Sequence, residues 1–589
     1  LFAEFLRGKL AEDEASHRQV ATKAAQLLAN RSRFEEAVEL YLSVQTWAEA
    51  AALLEAQGTF FYDTGRALTL HNWLAEISEQ ELDRHPRLLL LKGKILNFDL
   101  GEPQQALKFY RRAETTFRRH NDLIGAAETQ VFRSATLRMT GQAKEGLALA
   151  HMALEQLESL QADPRLIAWA IKNRGIAYWV IGNLDQSLAD LRRALALFEA
   201  LEDTYWTGMC HHNIGVCLEK RGNISGAEHH YKQALRVWET LGNANDLANT
   251  LNSLGVCSFL RGDYDQALGY FRESLNIALQ IGATRRAAFA QAGISDTYLA
   301  RREYEQALQA YDLSTEFAQS AAVRPLEVYN IVKKGECFFQ LQDLAQALKL
   351  SNQAREIAGE SGLGFEKGLA TALQAKIYVR QGEYSISLDL FAEALSSLVR
   401  NDALEETKAR LWWGYSLLLD LQSLAAFEQL QEVVRLALAM GELIPRLGPT
   451  VRETRPLLLH FLYQADTSVE MRANIEFLLA QIPERVEVLK PSLQVFAFGV
   501  PTLVVAGERR QFSQRGKTRR LPEFLLYLIL EGQSNGCRWS EVSAAIWPDL
   551  TPDKASTSFH QNVKRLRDVI FENSDYIVIQ DDYYQVNPL

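Results

Sequence analysis

"RGIAYWVIGNLDQSLADLRRAL" (residues 174–195), "IGVCLEKRGNISGAEHHYKQAL" (214–235) and "LGVCSFLRGDYDQALGYFRESL" (254–275) are three copies of one pattern. A small residue leads each copy, and it recurs as Ser134, Gly175, Gly215, Gly255, Ser295, Gly335 and Ala375. The first interval is 41 residues and every later one is 40; Lys94 marks an earlier, more degenerate copy. Twelve residues after each marker another small residue follows, as in Ala106, Ser187, Ala227 and Ala267, and seven further on another, as in Ala113, Ala194, Ala234 and Ser274. Between them lies a frequently aromatic position: Tyr110, Tyr231, Phe271, Tyr311 and Phe391. Small residues at these intervals let two antiparallel helices approach closely, and the aromatic ring fills the gap to the next pair. A turn such as Gly262-Asp263-Tyr264 joins the two helices.

This pattern resembles the tetratricopeptide repeat, in the 40-residue form of kinesin light chains and bacterial peptide-responsive regulators; the usual unit is about 34 residues. The resemblance covers eight copies over roughly 87–400, with a shifted ninth around Gly414 and Ala426. It implies a mostly α fold, a right-handed superhelix whose first helices line an inner groove; a small α+β winged-helix domain is expected after it on the C-terminal residues. In long-repeat relatives, polar residues just before the marker clamp a peptide. Here those places hold Lys172-Asn173, His212-Asn213 and Asn252-Ser253, with Trp169 and Trp179 expected on the face of Lys172. An Asn amide offers both donor and acceptor, so a row of them can pair with an extended backbone, or can simply be hydrated in the groove.

The expected organisation is 1–86 as N-terminal helical hairpins, 87–437 as repeats, 438–491 as a helical cap and 492–589 as the winged helix. The opening stretch from Leu1 to Gly58 reads as continuous helical periodicity. With "GRALTLHNWLAEISEQELDRHPRLLLLKGKIL" (66–96), it resembles the helical region of signal-transducing NTPases related to the maltose-regulon activator. The resemblance implies an NTPase upstream of Leu1, which is not Met.

From Ser492 the period changes. "LQVFAFGVPTLVVAGERRQF" (493–512) alternates and reads as short strands. Helices follow, one starting at Ser540 as N-cap and one after Thr551-Pro552, and the chain ends on two strands about Asp581-Asp582. Phe498-Gly499, Lys517, Leu525–Leu528, Ile546-Trp547-Pro548-Asp549, Leu566-Arg567 and Tyr584 resemble the winged-helix domain of antibiotic regulatory protein activators and response regulators. In 552–571, Ala555, Phe559, Val563, Leu566 and Ile570 fall at inward helical spacing. That leaves Thr557, Ser558, His560, Gln561, Lys564 and Arg565 as candidate readers of base edges. Arg515, Lys517, Arg519 and Arg520, with Arg567, would meet DNA phosphates.

Gly516-Lys517-Thr518 is not a P-loop ending, because Gln511 stands where the first glycine is needed. No catalytic constellation or cofactor motif is present in the sequence, so a non-enzyme without cofactor is expected. Cys210-His211-His212 lacks a second ligand cluster, and adjacent helical residues diverge by about 100°, so no metal is expected. The net charge of −10 argues against a protein coated in nucleic acid. The basic run Arg509–Arg520 restricts any such surface to the C-terminal region. Five cysteines in 589 residues point to a reducing compartment, and no apolar run approaches a membrane span. The expectation is therefore a cytoplasmic transcriptional regulator with double-stranded DNA and a peptide, protein or small-molecule effector as partners, and possible homo-oligomers. A scaffold that binds proteins at both places is the alternative.

Overall fold

The computed structural model describes residues 14–399, 402–464, 466–482, 493–496, 502–505, 508–511, 524–525, 537–570, 577–580 and 583–586. Antiparallel helix pairs run from Pro86–Phe98 with Pro103–Arg119 through Thr204–Lys220 with Ile224–Leu241 to Tyr384–Leu398, and Ala403–Leu419 with Ser423–Leu438 forms the shifted ninth copy. Contacts divide the chain into two compact units: residues up to Ala409 with Leu436–Ile444, and Arg410–Arg435 with Pro445–Leu589.

The marker positions work by steric fit. A Cβ on Gly215 would lie 2.6 Å from the Tyr231 ring, and one on Gly255 2.6 Å from Phe271. Tyr231 and Phe271 are buried, as are the small residues Ala227, Ala234, Ala267 and Ser274 beside them. Gly255→Ala should therefore overpack a closed pair and cost about 1–3 kcal/mol. Urea unfolding of the variant against wild type measures it. Each intra-pair turn is a left-handed residue followed by an N-cap. Asn223 accepts from the Gly226 N–H (2.8 Å) and Asp343 from that of Gln346 (3.0 Å), satisfying donors that a helix start leaves open.

Ahead of the repeats the described helices are Glu14–Asn30, Phe34–Ser43, Trp47–Asp63, Ala67–Glu76 and Glu79–Leu82. Turns at Ser32 and Gln45 divide the helical periodicity read over 1–58 into hairpins, and Gly65 makes the next turn, all with positive φ. Of the three, Gln45 is not a turn former by type. The core does not stop at residue 86: Phe61, Trp73, Leu89, Tyr110 and Phe117 share one cluster.

The segment after the ninth pair returns to the fourth repeat. A 3-10 helix, Gly441–Leu447, begins against the turn of the pair at 204–241. The Glu442 N–H donates to the Gly222 carbonyl (3.0 Å). The Glu442 carboxylate accepts from the Ser225 hydroxyl (2.8 Å) and N–H (3.1 Å). Leu443 packs against the cluster of Leu188, Leu218 and Leu254. The carboxylate thereby sits at the N-terminus of helix Ile224–Leu241, where open N–H groups and the helix dipole favour an anion. This clasp joins residues 217 apart.

In the C-terminal unit, strands β1 (Leu493–Phe496), β2 (Thr502–Val505) and β3 (Glu508–Gln511) form an antiparallel sheet in that order. A second sheet has the order β4 (Cys537–Arg538), β6 (Tyr583–Val586), β5 (Ile577–Gln580). Helix Pro552–Ile570 buries Ala555, Phe559 and Val563 as the spacing requires, and Phe559 meets Phe524 edge-on at 5.2 Å. Ser540 is not an N-cap. That helix runs Trp539–Ile546, and the Arg538 N–H donates to Glu541 Oε2 (3.0 Å), so the glutamate captures the chain two residues earlier than the serine predicts.

Candidate functional site

The first helix of each pair carries the candidate groove residues. On helix Pro164–Val180, Lys172 is 5% exposed and Asn173 6%. The Lys172 ammonium lies 5.2 Å from the centre of the Trp169 ring and 3.9 Å from that of Trp206. Trp206 belongs to the next first helix, Thr204–Lys220, and it, not Trp179, supplies the second ring. Trp179 packs instead against the cluster of Leu188, Leu191 and Ile214. Burial pushes the Lys172 ammonium down to about 7; Cys210 opposes that shift and the nearby Arg138 guanidinium adds to it. Burial also pushes the Cys210 thiol up to about 12, so the thiol stays neutral.

One pair along, His212 is already engaged. Its Nδ1 lies 3.2 Å from Thr250 Oγ1 and its Nε2 3.1 Å from the Asn249 amide. Burial, then Arg286, lowers it to about 4, so it is a neutral packing residue near pH 7. The asparagines behave differently. Asn173 Nδ2, Asn213 Nδ2 and Asn252 Oδ1 are each buried without a hydrogen-bond partner among the described residues. Asn252 also lines a cleft of about 550 Å³ walled by Phe259, Phe289 and Leu326, with Asp296 and Tyr329 in its lining. The hydroxyls of Tyr311 and Tyr329 donate to the Asp296 carboxylate.

Among the described residues no group of three His, Cys, Asp or Glu side chains could hold a metal, and no helix is long and apolar enough to cross a membrane. Cys210 is buried; His211 Nδ1 lies 2.9 Å from His230 Nδ1 instead.

On helix Pro552–Ile570, Thr557, His560, Gln561 and Lys564 are exposed and Ser558 is half-buried. The Thr557 hydroxyl donates back to the Asp553 carbonyl (2.8 Å), and the Asn562 amide, buried, donates to that of Ser558 (2.7 Å). Arg515, Lys517, Arg519 and Arg520 lie outside the described residues, as do the side chains of Arg565 and Arg567.

Trp206 and Arg138 are the groove residues that the repeat pattern does not single out. Trp206 lies over the Lys172 ammonium and Arg138 acts on its charge only because successive pairs stack.

The tetratricopeptide-repeat family model matches residues 166–240 and 246–320. A comparison with curated proteins returns no match. Among solved structures, the chain is similar to a Signal Transduction ATPase with Numerous Domains carrying a tetratricopeptide repeat sensor, from Pyrococcus horikoshii. The identity is 17% and the TM-score 0.46, over 60% of this chain and 55% of that one, so this chain spans about half of that protein's length. It is similar also to a Rap protein complexed with competence and sporulation factor (17%, TM-score 0.44, 61% of this chain, 97% of that one). The apo quorum sensor NprR from B. thuringiensis is comparable (16%, TM-score 0.43, 59% and 97%). Residues 166–240 and 246–320 are tetratricopeptide repeats, set within an array of like helix pairs.

Proposed function

We propose that the chain is an effector-responsive transcriptional regulator, acting in the cytoplasm, whose repeat groove takes an extended peptide or protein segment and whose C-terminal α+β region is a winged helix that reads promoter DNA. The observation that carries the first half is the set of unpartnered amide atoms on Asn173, Asn213 and Asn252, on three successive first helices. Buried polar atoms are nearly always satisfied, so three open ones along one groove mark where an outside backbone completes the bonding. The DNA half is supported by the exposed stripe of Thr557, His560, Gln561 and Lys564 opposite the buried Phe559 and Val563, donors and acceptors of the type that meets base edges.

Fluorescence anisotropy of the full chain tests both halves. A labelled hexapeptide pool should bind, and the variant carrying Asn173→Ala, Asn213→Ala and Asn252→Ala should lose at least about tenfold, since each lost buried bond is worth about 1 kcal/mol. On promoter-length duplexes, six to ten phosphate contacts would weaken binding about 10³–10⁵-fold between 50 and 200 mM salt. Lys564→Ala should reduce sequence selection. A folded chain that binds the peptides but no duplex at low salt would be a scaffold, with the C-terminal region meeting protein.

A further inference from the structure

The clasp at 440–444 bears on the same three pairs that carry the open asparagine amides. Asn173, Asn213 and Asn252 stand on the first helices of the pairs at 164–200, 204–241 and 244–280. Leu443 packs against one apolar cluster drawn from all three: Leu188 and Leu191, Ile214 and Leu218, Leu254 and Cys257. The seat is shaped for close approach. A Cβ on Gly222 would lie 2.2 Å from the Met440 carbonyl oxygen, and one on Gly441 3.0 Å from the Gly222 carbonyl oxygen. Two stretches of backbone thus meet where neither residue has room for a side chain. Glu442 then accepts from the Ser225 hydroxyl (2.8 Å) and N–H (3.1 Å).

The 40-residue frame marks the receiving pair as different from its neighbours. The second position of the second helix is Asp185 in the preceding pair, Asp265 in the following one and Glu305 in the one after, acids that suit a helix N-terminus. At 225 the acid is replaced by serine, and Glu442 delivers a carboxylate there from outside the pair. An acid at 225 would repel it. Ser225 and Glu442 are both exposed, so their hydrogen bonds compete with water and the clasp can be released at modest cost.

We infer that the clasp is a lock on the groove: seated, it fixes the three pairs in the mutual rotation that sets their asparagines in a row, and released, it lets that row drift. The inference rests on the groove being an effector site and adds its regulation. An extended ligand that meets all three amides binds the seated form better, because less ordering remains to be done on binding. By linkage, ligand and clasp stabilise each other by the same factor.

The test uses the full chain, anisotropy on the labelled hexapeptide pool, and hydrogen exchange at the amide of residue 442, which donates to the Gly222 carbonyl at 3.0 Å. Ser225→Asp keeps the kind of helix start that Asp185 and Asp265 provide but opposes Glu442; Glu442→Ala removes the acceptors from the other side. Both should expose the 442 amide and weaken binding of the pool at least about fivefold, the low end of typical coupling between sites. Adding Glu442→Lys to Ser225→Asp should restore both readouts. Ala345→Asp, the same helix position in a pair without the clasp, should change neither. Saturating wild type with the pool should slow exchange at 442 by the factor that the variants lose. Loss of protection with unchanged or tighter binding in both variants overturns the lock and leaves the groove standing. So does protection at 442 that survives both substitutions, or that the pool fails to raise in wild type. If wild type does not bind the pool at all, the groove itself is refuted, and the lock with it.

Discussion

At pH 6 the Lys172→Met protein should be more stable to urea than wild type, by about 2–3 kcal/mol, and that lead should shrink towards zero by pH 10. The ammonium is buried among tryptophans with no counter-ion among the described residues, and burial, opposed by Cys210 and reinforced by Arg138, lowers it from 10.5 to about 7. A shift of that size corresponds to roughly 5 kcal/mol held against the folded state when the group is charged. Attraction to two indole faces returns about 2 kcal/mol, which leaves the net figure. The sign follows from proton counting. Below about 7 the lysine is charged in both folded and unfolded chains, so the burial penalty is complete. Between about 7 and 10.5 the unfolded chain binds the extra proton, so wild-type stability rises with pH. Met keeps the apolar stem against the rings and carries no charge, so its stability lacks this slope. Unfolding of both proteins at pH 6, 8 and 10 isolates the lysine, because Cys210 stays protonated across the window. A constant difference at all three values would show that Lys172 reaches water.

Gly222→Ala should be the most damaging single methyl added to the array, and Gly262→Ala is its control. Both glycines have the same left-handed backbone, φ +80 and +82. Placing a side chain there costs about 1–2 kcal/mol in either case. Gly262 has nothing within 4 Å of the added atom, whereas at Gly222 it would lie 2.2 Å from the Met440 carbonyl oxygen. That contact cannot be met without withdrawing the 440–444 segment. The expected loss is about 3–5 kcal/mol for Gly222→Ala, overpacking added to strain, against about 1–2 for the control. Hydrogen exchange supplies the local readout: the Glu442 amide, bonded to the Gly222 carbonyl at 3.0 Å, should lose protection in the first variant and keep it in the second. Equal losses in both would mean that the clasp contributes no stability.

The helix pairs were legible because the information is local. Small residues at the marker and at twelve and nineteen positions beyond it, the aromatic between them, and Asn or Asp as N-cap all act within one pair. Spacing alone therefore locates Gly215 against Tyr231. Turns were legible where glycine marks them, as at Gly222 and Gly262. They were hidden where Ser32, Gln45, Arg302 or Leu421 takes the left-handed conformation, since nothing in those residue types announces it. The candidate Asn row was also readable from the 40-residue frame, but which amide atoms stay open was not. His212 stands beside Asn213 in sequence, yet Thr250 and Asn249 occupy its ring nitrogens. The interactions around Lys172 join different pairs: it meets Trp206 from the following one and feels the Arg138 charge from the preceding one. The clasp joins Ser225 to Glu442 across most of the array. By itself the sequence determined the repeating unit, because side-chain size and helical periodicity act over a few turns. Only the tertiary structure decided which amide atoms stay open among the described residues and that Glu442 meets Ser225, because those depend on the rotation from one pair to the next, summed over several copies.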